Sequence, residues 1–255
     1  MTQQEFYQIC TDSFEKNGLS AYATPEYLEK FYALTEFMLE TNKKMNLTAL
    51  RDEHSVVSRH ITDCLLAAKH LPESFPQGSG KLLDVGSGGG MPALPFAIIR
   101  PDISITALDA TAKKTAYILA AAEHLGLSNV NILTGRAEEL GTDKKYRETF
   151  DIVCASAVAE LRILMEWCVP FIKNGGMFLS LKGKNGDIEL QNAQNAIKKL
   201  SCRLDLDEIC TLFEDENGET LTSERHNFIF KKIKPTDKIY PRRNAQITKN
   251  PLQYA

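Results

Sequence analysis

Apolar positions in the first 75 residues recur at helical spacing. In "TPEYLEKFYALTEFMLETN", Leu28, Phe31, Tyr32, Thr35, Met38 and Leu39 follow the i, i+3, i+4 stripe of a helix buried on one face. Thr24 is placed to cap that helix and Pro25 to open it. A polar stretch, "TNKKMNLTALRDEHS", interrupts the stripe before "VVSRHITDCLLAAKHL" resumes it. "PESFPQGSGK" (72–81) then has the proline and glycine content of a boundary. The pattern predicts an N-terminal helical region over 1–75 and a second domain over 76–255 that ends in a basic tail.

From residue 81 the spacing changes. Short apolar runs that read as strands ("KLLDV", "ISITALD", "NVNILTG", "FDIVCASA", "GMFLSLKG") alternate with helical stretches ("MPALPFAIIR", "KKTAYILAAAEHLGL", "LRILMEWCVPFI"). Such alternation predicts a mostly parallel sheet covered on both faces. "CRLDLDEICTLF" and "RHNFIFKKI" have no helix between them and predict an antiparallel pair at the sheet edge. The expected fold is doubly wound α/β, Rossmann-like, with an N-terminal helical cap.

Composition narrows the function classes. With a formal net charge of −3 over 255 residues, nucleic acid could be met only through a local basic patch. The six cysteines are scattered, with no C-x-x-C pair and no zinc-type spacing, so reduced thiols and no metal are expected. No apolar run approaches a membrane span, and a cytoplasmic monomer is expected.

Residues 86–90, "GSGGG", follow the first strand. A glycine turn there lets backbone approach a ligand at the strand's carboxyl end. Gly86, Gly88 and Gly90 form G-x-G-x-G. The dinucleotide fingerprint would need glycine where Met91 or Ala93 stands, and "MPALP" offers few amide donors for a pyrophosphate. The spacing favours S-adenosylmethionine (AdoMet), which carries no phosphate. Asp84 either faces the ligand's ammonium or ties the loop together. Asp109, at the end of the second strand, either accepts from ribose hydroxyls or caps the helix before "TAKK". Ala137 and Glu138, in "GRAEEL" after the third strand, are candidates to read adenine.

"NLTALRD" (46–52), "RHITDCL" (59–65), "LLDVGSGGGMPALPFAI", "LDATAKK", "RAEEL", the "KG" after the fifth strand and "YPRR" near the C-terminus together resemble the RsmG (GidB) family. Those proteins are bacterial methyltransferases acting on N7 of a guanine in 16S ribosomal RNA. The resemblance spans most of the chain. It implies AdoMet contacts from Gly86, Met91, Ala137 and Glu138, and a 30S subunit or precursor as substrate. It also implies an AdoMet-side role at position 156, where the family's arginine is replaced by Ser156. Beyond "YPRR" the tail reads "NAQITKNPL", without the family's glycine and proline pattern. These departures leave a second reading open, a non-catalytic rRNA-binding or ribosome-assembly protein that keeps the fold.

Guanine N7 carries a lone pair and no proton, so methylation there needs no general base, and no catalytic side chain is nominated. For RNA, residues 231–249 hold seven Lys or Arg and one Asp, with Tyr240 beside Arg242 and Arg243. Lys182 is a substrate-side candidate. So are Asn46, Thr48, Arg59 and His60, each with an ordinary alternative as loop, cap or local ion-pair residue. Trp167 reads as core.

Overall fold

The computed structural model describes residues 1–75, 78, 80–216 and 219–252, with the side chains of 215 and 216 left aside. A seven-stranded sheet runs in the order β3-β2-β1-β4-β5-β7-β6. Its strands are β1 (Gly80–Val85), β2 (Ile103–Asp109), β3 (Val130–Thr134), β4 (Phe150–Ser156), β5 (Ile172–Gly183), β6 (Cys202–Glu216) and β7 (Glu219–Lys232). The first five are parallel; β7 and β6 are antiparallel to their neighbours, as their lack of a connecting helix implied. Strand order reverses between β1 and β4, which opens a crevice at the carboxyl ends of the strands.

Each apolar strand feeds two cores by alternation. Leu82, Ile105, Ile152 and Leu179 pack toward one face, with the N-terminal helices, while Leu83, Leu108, Val153 and Phe178 pack toward the other. The first face carries α1 (Gln3–Lys16), α2 (Pro25–Met45), α3 (Glu53–Val56), α4 (Thr62–Ala68), α5 (Ala93–Ile99) and α6 (Ala112–His124). Thr24 accepts from the Tyr27 amide at the head of α2, with Pro25 first in the helix, as its sequence indicated. One continuous core joins Phe6, Phe31 and Met38 of this region to Leu82 and Ile105 of the sheet. The expected boundary at 75/76 adjoins residues 76, 77 and 79, which lie outside those described.

Between α3 and α4 the helix widens into one π turn, Val57–Ile61. Thr62 Oγ1 donates to the Val57 carbonyl at 2.9 Å inside it. The widening turns Arg59 and His60 away from a regular helical register.

The second face carries α7 (Ala137–Leu140), α8 (Leu161–Cys168), α9 (Gly186–Asn192), α10 (Gln194–Lys199) and, from the tail, α11 (Asn244–Lys249). The helix expected to run from 161 to 172 ends at Cys168. A 3-10 turn then spans Val169–Phe171, where Pro170 has no amide to continue the ladder. Helices α9 and α10 were not foreseen: each is too short, and too rich in Asn and Gln, to display a stripe.

Lys232, the last residue of β7, is fully buried. Its ammonium donates to Glu148 Oε1 at 2.7 Å and to the Val169 and Ile172 carbonyls at 3.2 and 2.8 Å. Burial works against the Glu148 carboxylate, but Lys232 and the Thr236 amide hold its pKa below the ordinary value. The stability it adds is therefore present above the carboxylate range and lost on acidification through it. Glu148→Ala leaves the ammonium without a counter-ion and should cost about 3–5 kcal/mol, read from urea unfolding at neutral pH. A loss under about 1 kcal/mol would mean that the two carbonyls suffice.

Candidate active site

The turn after β1 is held by its own amides. Gly86 and Ser87 donate to the Leu108 carbonyl at 2.8 and 3.0 Å, and Gly90 and Met91 to the Ser87 carbonyl at 2.7 and 3.1 Å. Gly88 donates to Asp109 Oδ2 at 3.0 Å. Pro92 has no amide, and Ala93 donates to Asp84 Oδ2 at 3.2 Å. Six amides of the turn that a phosphate could use are thus already engaged, in keeping with the absence of a dinucleotide fingerprint. Gly86 has φ +77°, and a Cβ there would meet Val158 Cγ2 at 2.6 Å, so neither conformation nor space admits a side chain.

Two cavities flank the strand-order reversal. The first, of about 210 Å³, lies over the ends of β1, β2 and β3 and is lined by Gly86, Asp109, Ala137, Glu138, Trp167 and Asn244, among others. The second, of about 470 Å³, lies over β4, β5 and β7, with Asp63, Ser156, Lys182, Glu189 and Arg225 in its wall. Val158 borders both.

Four of the expected cofactor residues, Gly86, Asp109, Ala137 and Glu138, therefore come together in one cavity. Gly88, Gly90 and Met91 shape the turn beneath it. Ser156 ends β4 on the side of the second cavity. Asp109 borders the cavity, and its carboxylate accepts from Gly88 and, at 2.8 Å, from the Thr111 amide; the N-cap of α6 is Thr111, so Asp109 is not its cap residue. Asp84 does not border the cavity; it fastens the turn to α5. Burial pushes its carboxyl up to about 7 against the Ser87, Ala93 and Cys154 hydrogen bonds.

Two wall residues were missed. Trp167, read as core, packs one side against the core and borders the first cavity with the other; its Nε1 is buried and has no hydrogen-bond partner among the described residues. Asn244 Oδ1 is likewise buried and unpartnered. A lone tryptophan in a helical run and an asparagine in a basic tail carry no sequence signal for this. An orphan donor and an orphan acceptor at one cavity fit a polar heteroaromatic ligand such as the adenine of AdoMet.

The tail reaches the cavity because Glu166, fully buried on α8, holds it. Glu166 Oε1 accepts from the Arg242 amide at 2.9 Å and from its Nε at 2.8 Å, and Oε2 accepts from Nη2 at 2.7 Å. Arg147 adds bonds to the carbonyls of Tyr240 and Thr236, both at 2.8 Å. Arg242, expected at RNA, thus commits its guanidinium to Glu166, whereas Arg243 is exposed.

The other expected RNA residues are largely engaged. Arg59 pairs with Glu214 at 2.7 Å rather than with Asp63. Asp63 pairs with Arg225 Nε at 3.0 Å, which reaches Glu214 at 3.6 Å. Burial nevertheless raises the Asp63 carboxyl to about 6. His60 Nε2 meets Thr48 Oγ1 at 2.9 Å, and burial lowers its pKa. Asn42 binds the Thr48 backbone at both ends of its amide. Asn46 closes α2 in a left-handed conformation, the cap reading of that residue. Lys182 pairs with Glu189 at 2.7 Å and donates to the Ala159 carbonyl. Asp63, Glu189 and Arg225, which line the second cavity, were not among the nominated residues.

The family model described as "rRNA small subunit methyltransferase G" matches residues 27–211. A protein of that name from Clostridium beijerinckii is 37% identical over 250 residues, covering 98% of this chain and 100% of the relative. Another from Brevibacillus brevis is 36% identical over 252 residues, covering 99% and 100%. Among solved structures, a precorrin-6y C5,15-methyltransferase from Geobacter metallireducens superposes with TM-score 0.52 at 12% identity, over 67% of this chain and 87% of its own. That likeness is one of fold.

Asp84 gives a sign that can be checked. Its folded pKa, pushed up to about 7, lies above the ordinary carboxylate value, so the stability it adds is complete below about pH 4 and lost as pH rises through about 7. Asp84→Asn keeps an acceptor for the Ala93 amide and removes the titration. Its urea midpoint should lack the decline that the parent chain shows between those values; parallel declines would contradict the assignment.

Proposed function

The chain belongs to the rRNA small subunit methyltransferase G family, and from that membership we propose that it methylates N7 of a guanine in 16S rRNA, with the first cavity holding AdoMet and the second the base. It is an AdoMet-dependent rRNA methyltransferase. The non-catalytic alternative suggested by Ser156 is not favoured, since the relatives matching over nearly the whole chain are named as methyltransferases.

The observation that carries the proposal is the pairing of the two cavities across the strand-order reversal. Gly86, Asp109, Ala137, Glu138, Trp167 and Asn244 would hold AdoMet, and Val158 stands between it and the base. AdoMet supplies a methyl group on a cationic sulfur, and guanine N7 offers an in-plane lone pair with no proton to remove. The chain's contribution is then positioning and exclusion of water. Asp63 and Glu189 provide acceptors suited to the N1–H and N2–H edge of guanine, and Lys182 provides a donor suited to O6. Positive charge passes to the base during transfer, and these carboxylates sit on the side where it arrives. The base must be unpaired or turned out to enter.

Outside the cavities, Arg243, Lys44 and Arg51 are exposed and suited to phosphate. The substrate particle is the 30S subunit or a precursor, the protein acts as a monomer, and it works in the cytoplasm. No helix among the described residues is long and apolar enough to cross a membrane.

Labelled methyl from AdoMet should appear as N7-methylguanosine at a single position in 30S subunits that lack the modification. Label on another atom would overturn the assignment to N7. Trp167→Phe, which keeps the ring area and removes the N–H, should weaken AdoMet binding by about 3–10-fold. Asn244→Ala should act similarly. Unchanged affinity in both variants would remove these two residues from the cofactor site.

A further inference from the structure

Away from both cavities, three segments bring Asp187, Asp207 and His226 together. Asp187 lies in the first turn of α9, Asp207 on β6 and His226 on β7. His226 is fully buried, and its Nδ1 has no hydrogen-bond partner among the described residues. That nitrogen points between the Asp207 and Asp187 carboxylates, at 3.5 and 3.8 Å. All three donor atoms lie within 4.8 Å of one another.

The other ring nitrogen fixes the tautomer. Nε2 lies 3.2 Å from Glu224 Oε1, an acceptor that calls for Nε2–H. Nδ1 then carries a lone pair aimed at two anionic groups, an arrangement that only a cation makes favourable. The ring cannot turn away. A Cβ at Gly186 would fall 2.3 Å from its Cγ, so α9 starts directly against the imidazole, while Phe228 flanks it with ring centroids 5.5 Å apart. A histidine whose second nitrogen is held by a carboxylate is the usual arrangement of a metal ligand.

We propose that Asp187, Asp207 and His226 bind a divalent first-row metal ion of the Zn2+ type. One imidazole and two carboxylates suit such an ion. With metal–ligand bonds of about 2.0–2.1 Å, neighbouring ligands of a tetrahedral ion stand about 3.3–3.4 Å apart, against 3.5 and 3.8 Å here between Nδ1 and the two carboxylates and at most 4.8 Å between any two of the three donors. Asp187 is exposed and leaves the fourth position to water. The ligands are about 20 residues apart in sequence, which is why no spacing motif announces them.

The position gives the ion a structural consequence. His226 is paired in register with Lys182, and Glu189, on the same helix as Asp187, bonds both Lys182 and the Leu161 amide. A bound ion would pin the start of α9 to the sheet and so hold the wall of the second cavity.

The test is calorimetric titration of the untagged full-length chain with Zn2+, compared with the double variant Asp187→Asn/Asp207→Asn. Both carboxylates are surface groups, and without metal the variant should melt as the parent does. The parent should bind one equivalent that the variant binds at least about tenfold more weakly. Zn2+ should raise the melting temperature of the parent alone. Asp205→Asn, which removes a neighbouring carboxylate paired with Arg203, should bind as the parent does. Equal Zn2+ binding by parent and double variant, or none by the parent, would overturn the proposal.

Discussion

A carboxylate with no exposure to water must be matched by a cation, and Glu166 is matched by Arg242 from the far end of the chain. Removing one partner of such a pair costs about 3–5 kcal/mol, so the contact fixes the path of everything beside it. Because Arg242 is anchored through its backbone amide as well as its guanidinium, Asn244 two residues later falls at the first cavity. The tail is thereby a wall of the first cavity. Its basic residues divide by this anchoring: Arg242 faces inward, and Arg243 faces solvent.

The sheet supplies the remaining geometry. Parallel strands end on one edge, and the reversal between β1 and β4 separates the glycine turn from the Lys182 side of the edge. The two cavities then lie on opposite sides of the reversal, with Val158 common to both. The Arg59, Asp63, Glu214 and Arg225 network joins the N-terminal helices to the β6–β7 hairpin behind the second cavity. The helical region thus contributes directly to the wall of the second cavity, through Asp63. Its placement depends on the π turn that precedes α4.

Much of this was legible in the sequence, and for identifiable reasons. The parallel strands announced themselves as short apolar runs between helical stretches, most of all β1 and β4, where most positions are buried. The glycine turn was legible because positive φ at Gly86, Gly88 and Gly90 leaves few other residue types possible. What stayed hidden depends on pairing at a distance. Arg242 reads as a surface base until Glu166 is seen beneath it, 76 positions away. Trp167 reads as core because one of its faces is core. Arg225 and Asp63 are 162 positions apart, and no local pattern joins them. The Asp84 and Asp109 carboxylates are occupied by backbone amides, which sequence does not display.

The most direct measurement is hydrogen exchange with and without AdoMet, followed at the glycine turn and at α11 together. AdoMet should slow exchange both around residues 86–91 and around residues 244–248, since the tail forms part of the same wall. Protection confined to the glycine turn and the 135–138 segment, with α11 unchanged, would contradict the account and place the tail outside the cofactor site.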